Sequence, residues 1–154
     1  MRIQEATEND GSRLADFLLE YWEEGNVDFP KEKGRILAHK LVTDCAELPE
    51  SHAIYIAVDN SGEILGYITV HWIPFPMIHG TECYISDLVV KDTERGRGIG
   101  TQLLTYAETE AKQRGCCRLS LNNHRHSESY RRNFYSKNGF SDRNDFVNMV
   151  RIIE

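Results

Sequence analysis

The stretch Arg95-Gly96-Arg97-Gly98-Ile99-Gly100-Thr101 decides how this chain is read. Before it runs Tyr84-Ile85-Ser86-Asp87-Leu88-Val89-Val90, whose apolar residues fall on both faces, as in a strand central to a sheet. After it, Ile99, Leu103, Leu104, Ala107 and Ala111 recur at helical spacing, Lys112 and Arg114 sit in the last turn, and Gly115 stops the helix. Strand, basic glycine-rich turn and helix, in that order, suit an anion. Glycines let the backbone approach a ligand, and the first N–H groups of a helix have no internal partners and point outward.

Two familiar phosphate motifs fail on these residues. A P-loop requires G-x-x-x-x-G-K-[ST], but five positions after Gly96 stands Thr101, and Gly100 is followed by Thr101-Gln102. A dinucleotide fingerprint requires G-x-G-x-x-G, and here Gly96-x-Gly98 leads to Thr101 while Gly98-x-Gly100 leads to Leu103. Neither nucleotide fold is supported.

Outward from the turn, the other elements follow from periodicity and punctuation. Arg2 to Ala6 makes a short first strand, and Thr7 with Asp10 forms the S/T-x-x-acid opening of a helix that carries Leu14, Phe17, Leu18 and Tyr21. A second helix is expected from about Lys31 to Leu48, with Leu37, Leu41, Cys45 and Leu48 on its core face. A hairpin follows: Ala53 to Val58, a turn at Asp59-Asn60-Ser61-Gly62, then Glu63 to Trp72. Pro74 and Pro76 bound an exposed, stiff loop, since proline removes ladder donors. A fifth strand covers Cys117 to Leu121. Ser127 caps a short fourth helix that runs through Tyr130 and Phe134 to Asn138-Gly139, and Asp145 to Ile153 is expected to close the sheet as a last strand.

At 154 residues and 40% hydrophobic content the chain fits one globular domain. The order of elements predicts an α/β fold, and no internal repeat or linker interrupts it. A formal net charge of -6 argues against nucleic acid, because affinity for phosphate backbones needs clustered Lys and Arg, and the Arg125–Arg132 cluster is too short to reverse this. Cys45, Cys83, Cys116 and Cys117 have neither zinc-site spacing nor the density of a disulfide scaffold, so no metal is expected and the thiols should be reduced. Met1-Arg2-Ile3-Gln4-Glu5 is no signal peptide and no apolar run reaches membrane-span length, so a cytoplasmic protein without membrane contact is expected.

The spacing Arg95-x-x-Gly98-x-Gly100 resembles the Q/R-x-x-G-x-G/A signature of the GNAT-type N-acetyltransferases. Two further stretches resemble the same family: Tyr84 to Val90, like its fourth strand, and Phe134-Tyr135-Ser136-Lys137-Asn138-Gly139-Phe140, like its C-terminal L/F-Y-x-x-x-G-F signature. The resemblance implies one domain over residues 1–154. It implies a mixed, mostly antiparallel central sheet of about six to seven strands flanked by about four helices.

It also implies a reaction: transfer of an acetyl group from the cosubstrate acetyl-coenzyme A to a primary amine by direct attack in a ternary complex. The backbone amides of Arg95, Gly96, Arg97, Gly98, Ile99, Gly100 and Thr101 would hold the pyrophosphate, and Leu88, Val89 and Val90 would pair with the pantetheine arm, one N–H also serving the oxyanion. Tyr135 would contact the cofactor and act as general acid toward the leaving thiolate. For the general base the candidates are Glu82, Asp87 and His79. Many relatives carry Asn seven residues before the signature tyrosine. Here that residue is Glu128, with Asn122 and Asn123 nearby as substitutes.

Acceptor choice in this fold is expected to rest on the first helices and the loop before the fourth strand. In this sequence these hold Tyr21, Trp22, Glu23, Glu24, Asp28, Phe29, Trp72, Phe75 and His79, which suit a cationic small-molecule amine. Relatives are often homodimers, and the same is expected here. The alternative from another class is a non-catalytic acyl-coenzyme A sensor, against which the retained Tyr135 speaks.

Overall fold

The computed structural model describes residues 1–24 and 31–153, and for Trp22, Glu23, Glu24 and Lys31 the backbone alone. Asp28 and Phe29, two of the residues expected to select the acceptor, lie outside the described residues. The chain divides into two units, Met1–Asn122 and Asn123–Glu154.

In the first unit the elements are β1 (Arg2–Glu5), α1 (Gly11–Glu24), α2 (Lys31–Glu47), β2 (His52–Val58), β3 (Ile64–Phe75), β4 (Gly80–Val90), α3 (Ile99–Gln113) and β5 (Cys116–Leu121). The sheet runs β1-β2-β3-β4-β5 in sequence order. Its first three pairings are antiparallel and β4–β5 is parallel. A parallel pair needs a crossover, which α3 supplies.

Strand alternation sends two sets of side chains to the two faces. On one face Ile54, Ile56 and Val58 join Leu14 and Phe17 of α1 and Val42 of α2 in a buried cluster with Tyr67 and Ile64. On the other, α3 turns Leu103, Leu104, Ala107 and Ala111 inward, and Tyr106 of that helix stacks on Tyr55 of β2 with ring centroids 4.9 Å apart. Complete burial of a side chain such as Ile56, Ile68 or Leu103 contributes about 2 kcal/mol.

The Thr7-x-x-Asp10 opening of the first helix is present as expected. Thr7 donates its backbone N–H to Asp10 Oδ2 at 2.9 Å, and Arg13 pairs with the same buried carboxylate. Burial alone would raise the Asp10 carboxyl, but the hydrogen bonds from Thr7 and Arg13 outweigh it and hold the group below its ordinary value.

Several expectations change. The core face of α2 is Gly34, Ala38 and Val42, while Leu37 and Leu41 are 40% and 49% exposed. Small residues permit close packing: a Cβ added to Gly11 of α1 would stand 3.1 Å from the His39 ring. Pro74 lies inside β3, paired with Thr81. It is tolerated because β2 pairs with β3 only as far as His71, so one edge of β3 is free beyond Trp72. The loop shrinks to Pro76–Ile78, exposed as expected at Met77, and β4 begins at Gly80.

In the second unit Ser127 caps α4 (Glu128–Arg131), its Oγ accepting from Tyr130 N at 3.2 Å. The expected single helix is broken: Asn133 turns left-handed at φ 54° and α5 (Phe134–Lys137) follows as a separate turn. Residues 145–153 form no strand, so the described sheet has five strands where about six to seven were expected. Among the described residues there are five helices where about four were expected. Val147, Met149 and Ile153 are among the most exposed apolar side chains described. Among the described residues no helix is long and apolar enough to cross a membrane.

Candidate active site

The Arg95–Thr101 turn is built by two glycines in a conformation that other residues avoid. Gly96 and Gly98 both lie at φ 80°, where an L side chain crowds its own backbone. Gly98 is the N-cap of α3, and the first intrahelical bond runs from Gln102 N to Gly98 O at 3.0 Å. The N–H groups of Ile99, Gly100 and Thr101 therefore have no carbonyl within the helix, and buried Ile99 fixes the helix start against the core. Arg95 pairs with Asp92 and Arg97 with Glu94, so both arginines ring the turn already charge-balanced.

Immediately upstream, β4 changes character at Ile85. Its pairing with β5 runs from Thr81↔Cys116 to Ile85↔Leu121 and stops there. Ser86 to Val90 then have β3 on one side and, among the described residues, no strand on the other. Their unpaired edge can hydrogen-bond an extended ligand as a further strand would. Leu88, Val89 and Val90 occupy this segment, and the chain runs on through Lys91 to the glycine turn. The first unit thus presents a strand edge with no described partner followed by a helix N-terminus, the one suited to an extended amide-bearing group and the other to an anion.

A bulge at the same point shapes the other side. Thr69 pairs with Asp87 and Val70 with Ile85, leaving Ser86 as the extra residue. The bulge lets neighbouring residues Ser86 and Asp87 join one polar chain: Ser86 Oγ donates to Asp87 Oδ2 at 2.9 Å and meets His71 Nε2 at 2.9 Å. His71 Nδ1 in turn lies 2.9 Å from His52 Nδ1. Sequence reasoning missed His52, His71 and Ser86. Nothing local marks them, because 34 positions separate His52 from Ser86 and only the β2–β3–β4 pairing joins them.

Of the three base candidates, the fold separates all. Glu82 is a buried strand residue, 7% exposed. Arg118 donates to its Oε2 and Ser120 to its Oε1, so both oxygens are engaged. His79 is exposed at the tip of the β3–β4 connection, in a left-handed conformation at φ 55°. Asp87 is exposed on the free segment of β4 and belongs to the His71–Ser86 chain.

The acceptor candidates divide too. Trp72 is 6% exposed on the α3 side, its ring 4.7 Å from the Arg114 guanidinium, and so belongs to the core. Phe75 lies under Arg118 at 5.5 Å, and Tyr21 is exposed on α1. Two open concavities of about 430 and 640 Å³ flank α1 over Lys91. Neither is lined by Leu88–Val90 or Gly98–Thr101, and their mixed charges include the Lys91–Glu20 and Lys91–Glu63 pairs.

In the second unit Tyr135 is half-buried between two aromatic rings, Phe134 at 5.0 Å and Phe140 at 5.7 Å, both edge-on. Burial pushes its phenol above the ordinary tyrosine value, so it is protonated at neutral pH. Glu128, at the position where Asn was anticipated, pairs with Arg132 at 3.6 Å. Asn123 Oδ1 accepts from the hydroxyls of Ser127 and Ser129, and in the first unit Asn122 donates to the Tyr84 hydroxyl at 3.1 Å.

A mixed sheet whose fourth strand runs through a bulge and a free edge into a glycine-capped helix is the architecture of acyl-coenzyme A-dependent acetyltransferases. In fold the chain is similar, with a TM-score of 0.81 and 21% identity over 100% of this chain and 99% of the other, to a crystal structure described as a probable acetyltransferase. The chain belongs to the acetyltransferase (GNAT) family, whose model matches residues 12–140. It is 33% identical over 95 residues to an L-methionine sulfoximine/L-methionine sulfone acetyltransferase of Pseudomonas paraeruginosa (strain DSM 24068 / PA7), a match covering 61% of this chain and 49% of that protein. To an aminoalkylphosphonate N-acetyltransferase of Salmonella typhimurium it is 34% identical over 97 residues, covering 62% of this chain and 61% of the other. The chain therefore spans about half to three fifths of the length of these two curated relatives.

Proposed function

We propose that this chain moves the acetyl group of acetyl-coenzyme A to the primary amine of a small molecule, by direct attack while both substrates are bound. The observation that carries the reading is the continuity of the free β4 edge, Ser86 to Val90, with the glycine-capped start of α3. In this reading Leu88, Val89 and Val90 hold the pantetheine amides, and the N–H groups of the Arg95–Thr101 turn hold the pyrophosphate with help from the helix dipole. A β4 amide next to the bulge polarises the thioester carbonyl. The family match runs across Asn122 and Asn123, which supports reading residues 1–154 as one acetyltransferase domain.

The bonds are simple to balance. The amine nitrogen adds to the carbonyl carbon, the C–S bond breaks, and the departing thiolate takes a proton from the Tyr135 phenol, which the nitrogen then replaces. Tyr135 is proposed on the Phe134–Phe140 signature, and its raised, protonated state is what an acid at neutral pH requires. Tyr135→Phe should lower kcat by about 10- to 100-fold with little change in acetyl-coenzyme A affinity. Wild-type turnover at every pH would remove the acid role.

Small amines are favoured over peptides on the strength of the two named relatives, one acting on methionine sulfoximine and sulfone, the other on aminoalkylphosphonates. The test is thiol release from acetyl-coenzyme A with a panel holding L-methionine sulfone, an aminoalkylphosphonate, amino sugars, polyamines and peptide N-termini. Turnover confined to small amines is expected. Tight acetyl-coenzyme A binding without turnover of any amine would replace the enzyme by a sensor.

A further inference from the structure

The chain His52–His71–Ser86–Asp87 lies across three strands, and the roles its atoms can play are limited. A carboxylate only accepts, so Ser86 spends its single hydroxyl proton on Asp87. Ser86 Oγ must then receive Nε2–H from His71, whose Nδ1 lone pair is left to receive Nδ1–H from His52. Each hydrogen bond thus points the same way, from His52 toward Asp87. Such a file of donors can reverse as a unit, passing one proton in at one end and one out at the other.

Its far end is placed for the reaction. Ser86 and Asp87 are exposed and directly precede Leu88, on the segment where β4 has left β5. A primary amine arrives as an ammonium and must lose one proton before its nitrogen can attack. Glu82, the other acid on this strand face, is consumed by Arg118 and Ser120. We propose that Ser86 and His71 deprotonate the acceptor ammonium, with Asp87 holding its positive charge and His52 passing the proton to solvent.

This rests on the acetyl-transfer reading above. Before the ammonium arrives the file reverses by exchange with solvent: His52 Nε2 takes a proton from water, His52 passes its Nδ1 proton to His71 Nδ1, and His71 gives up its Nε2 proton to water beside the exposed Ser86 hydroxyl. When the ammonium pairs with Asp87, the Ser86 hydroxyl is released and donates to the bare His71 Nε2. An ammonium N–H then gives its proton to Ser86 Oγ as Ser86 gives its own to His71 Nε2. In this polarity His71 Nδ1–H donates to His52 Nδ1, and His52 loses its Nε2 proton to water. One proton enters and one leaves. The second proton of the nitrogen goes to Tyr135 after the C–S bond breaks.

The groups facing His71 are His52 from β2 and Tyr84, Ser86 and Asp87 from β4; from α2, Cys45 faces Asp87. Burial and then His52 hold the His71 imidazole below the ordinary histidine range, against the pull of Asp87. It is therefore neutral and able to accept a proton at neutral pH.

The test is the pH profile of kcat/KM at saturating acetyl-coenzyme A for the wild type, His71→Gln, Ser86→Ala and His52→Gln. L-methionine sulfone is the first acceptor probe, followed by the fastest amine of the panel. His71→Gln should lose about 100-fold at pH 7, and the loss should shrink toward pH 9.5, where the amine sheds its proton unaided. Ser86→Ala, an exposed change that leaves the core alone, should lose about 10-fold with the same trend. Acetyl-coenzyme A affinity should stay constant in all of them.

A loss in His71→Gln that is equal at every pH, or wild-type behaviour of Ser86→Ala, overturns the relay while acetyl transfer stands. Absence of wild-type turnover with every amine overturns both.

Discussion

The glycine turn and the polar face of the sheet do related work in the proposed site, yet they are encoded in opposite ways. Arg95 to Thr101 is one continuous stretch whose conformation follows from its own residues, two glycines at φ 80° and a helix start. The polar face is assembled from His52, His71, Glu82, Ser86, Asp87, Arg118 and Ser120, which meet only because four strands, β2 to β5, take a particular register. Contiguous devices are set by local sterics and are modular. Devices assembled across strands are held by burial and mutual pairing, so they cost more to disturb.

The largest expected effect is on the assembled side. Arg118→Met keeps the aliphatic stem against Phe75 but leaves Glu82 buried with only Ser120 to answer its charge. Loss of one partner of such a pair destabilises by about 3 kcal/mol. Urea denaturation measures it. Adding Glu82→Gln should return part of the loss, and strict additivity of the two changes would show that the pair is not coupled.

Next comes the turn itself. Gly98→Val places a β-branched side chain at φ 80°, a conformation it strains, at the N-cap of α3. Acetyl-coenzyme A affinity by calorimetry should fall by about 100-fold, close to 2.7 kcal/mol. The far-UV spectrum and the imidazole titration of His71 should be unchanged. A shift in that titration would mean that the two regions are one device.

The same division explains what the sequence made legible. The turn, the Thr7–Asp10 opening, the Ser127 cap and the strand–turn–helix order leading into α3 were readable because each depends on residues within a few positions of one another. The core face of α2 was misread because periodicity favours the largest apolar residues. In the fold, Gly34, Ala38 and Val42 face inward since close packing on α1 needs small ones. Residues 145–153 have strand composition, with Val147, Val150, Ile152 and Ile153, yet composition alone supplies no hydrogen-bonding neighbour. Pro74 was read as a strand breaker because the free edge of β3 beside it is a property of the sheet. At the site, the glycine turn and the helix start were legible and the His52–His71–Ser86 chain was not, for the same reason that Glu82 passed for a free acid.

The smallest effect offers the finest test, because Asp10 is a buried carboxylate like Glu82 but a contiguous one. Its partners Thr7 and Arg13 lie three residues away on either side, so its removal should cost what a helix cap costs, about 1 kcal/mol, well short of the Arg118 effect. The pH dependence has a definite sign. Despite the opposing effect of burial, the Thr7 and Arg13 contacts leave the folded carboxyl below its ordinary value of 3.8. The stability it adds is therefore complete above that pH and is lost as pH falls through the lower folded value. Wild type and Asp10→Asn should differ by a constant amount between pH 6 and 8 and converge in acid. A difference that persists at pH 2, or one as large as that of Arg118→Met, would mean that short sequence separation does not make a buried charge cheap to remove.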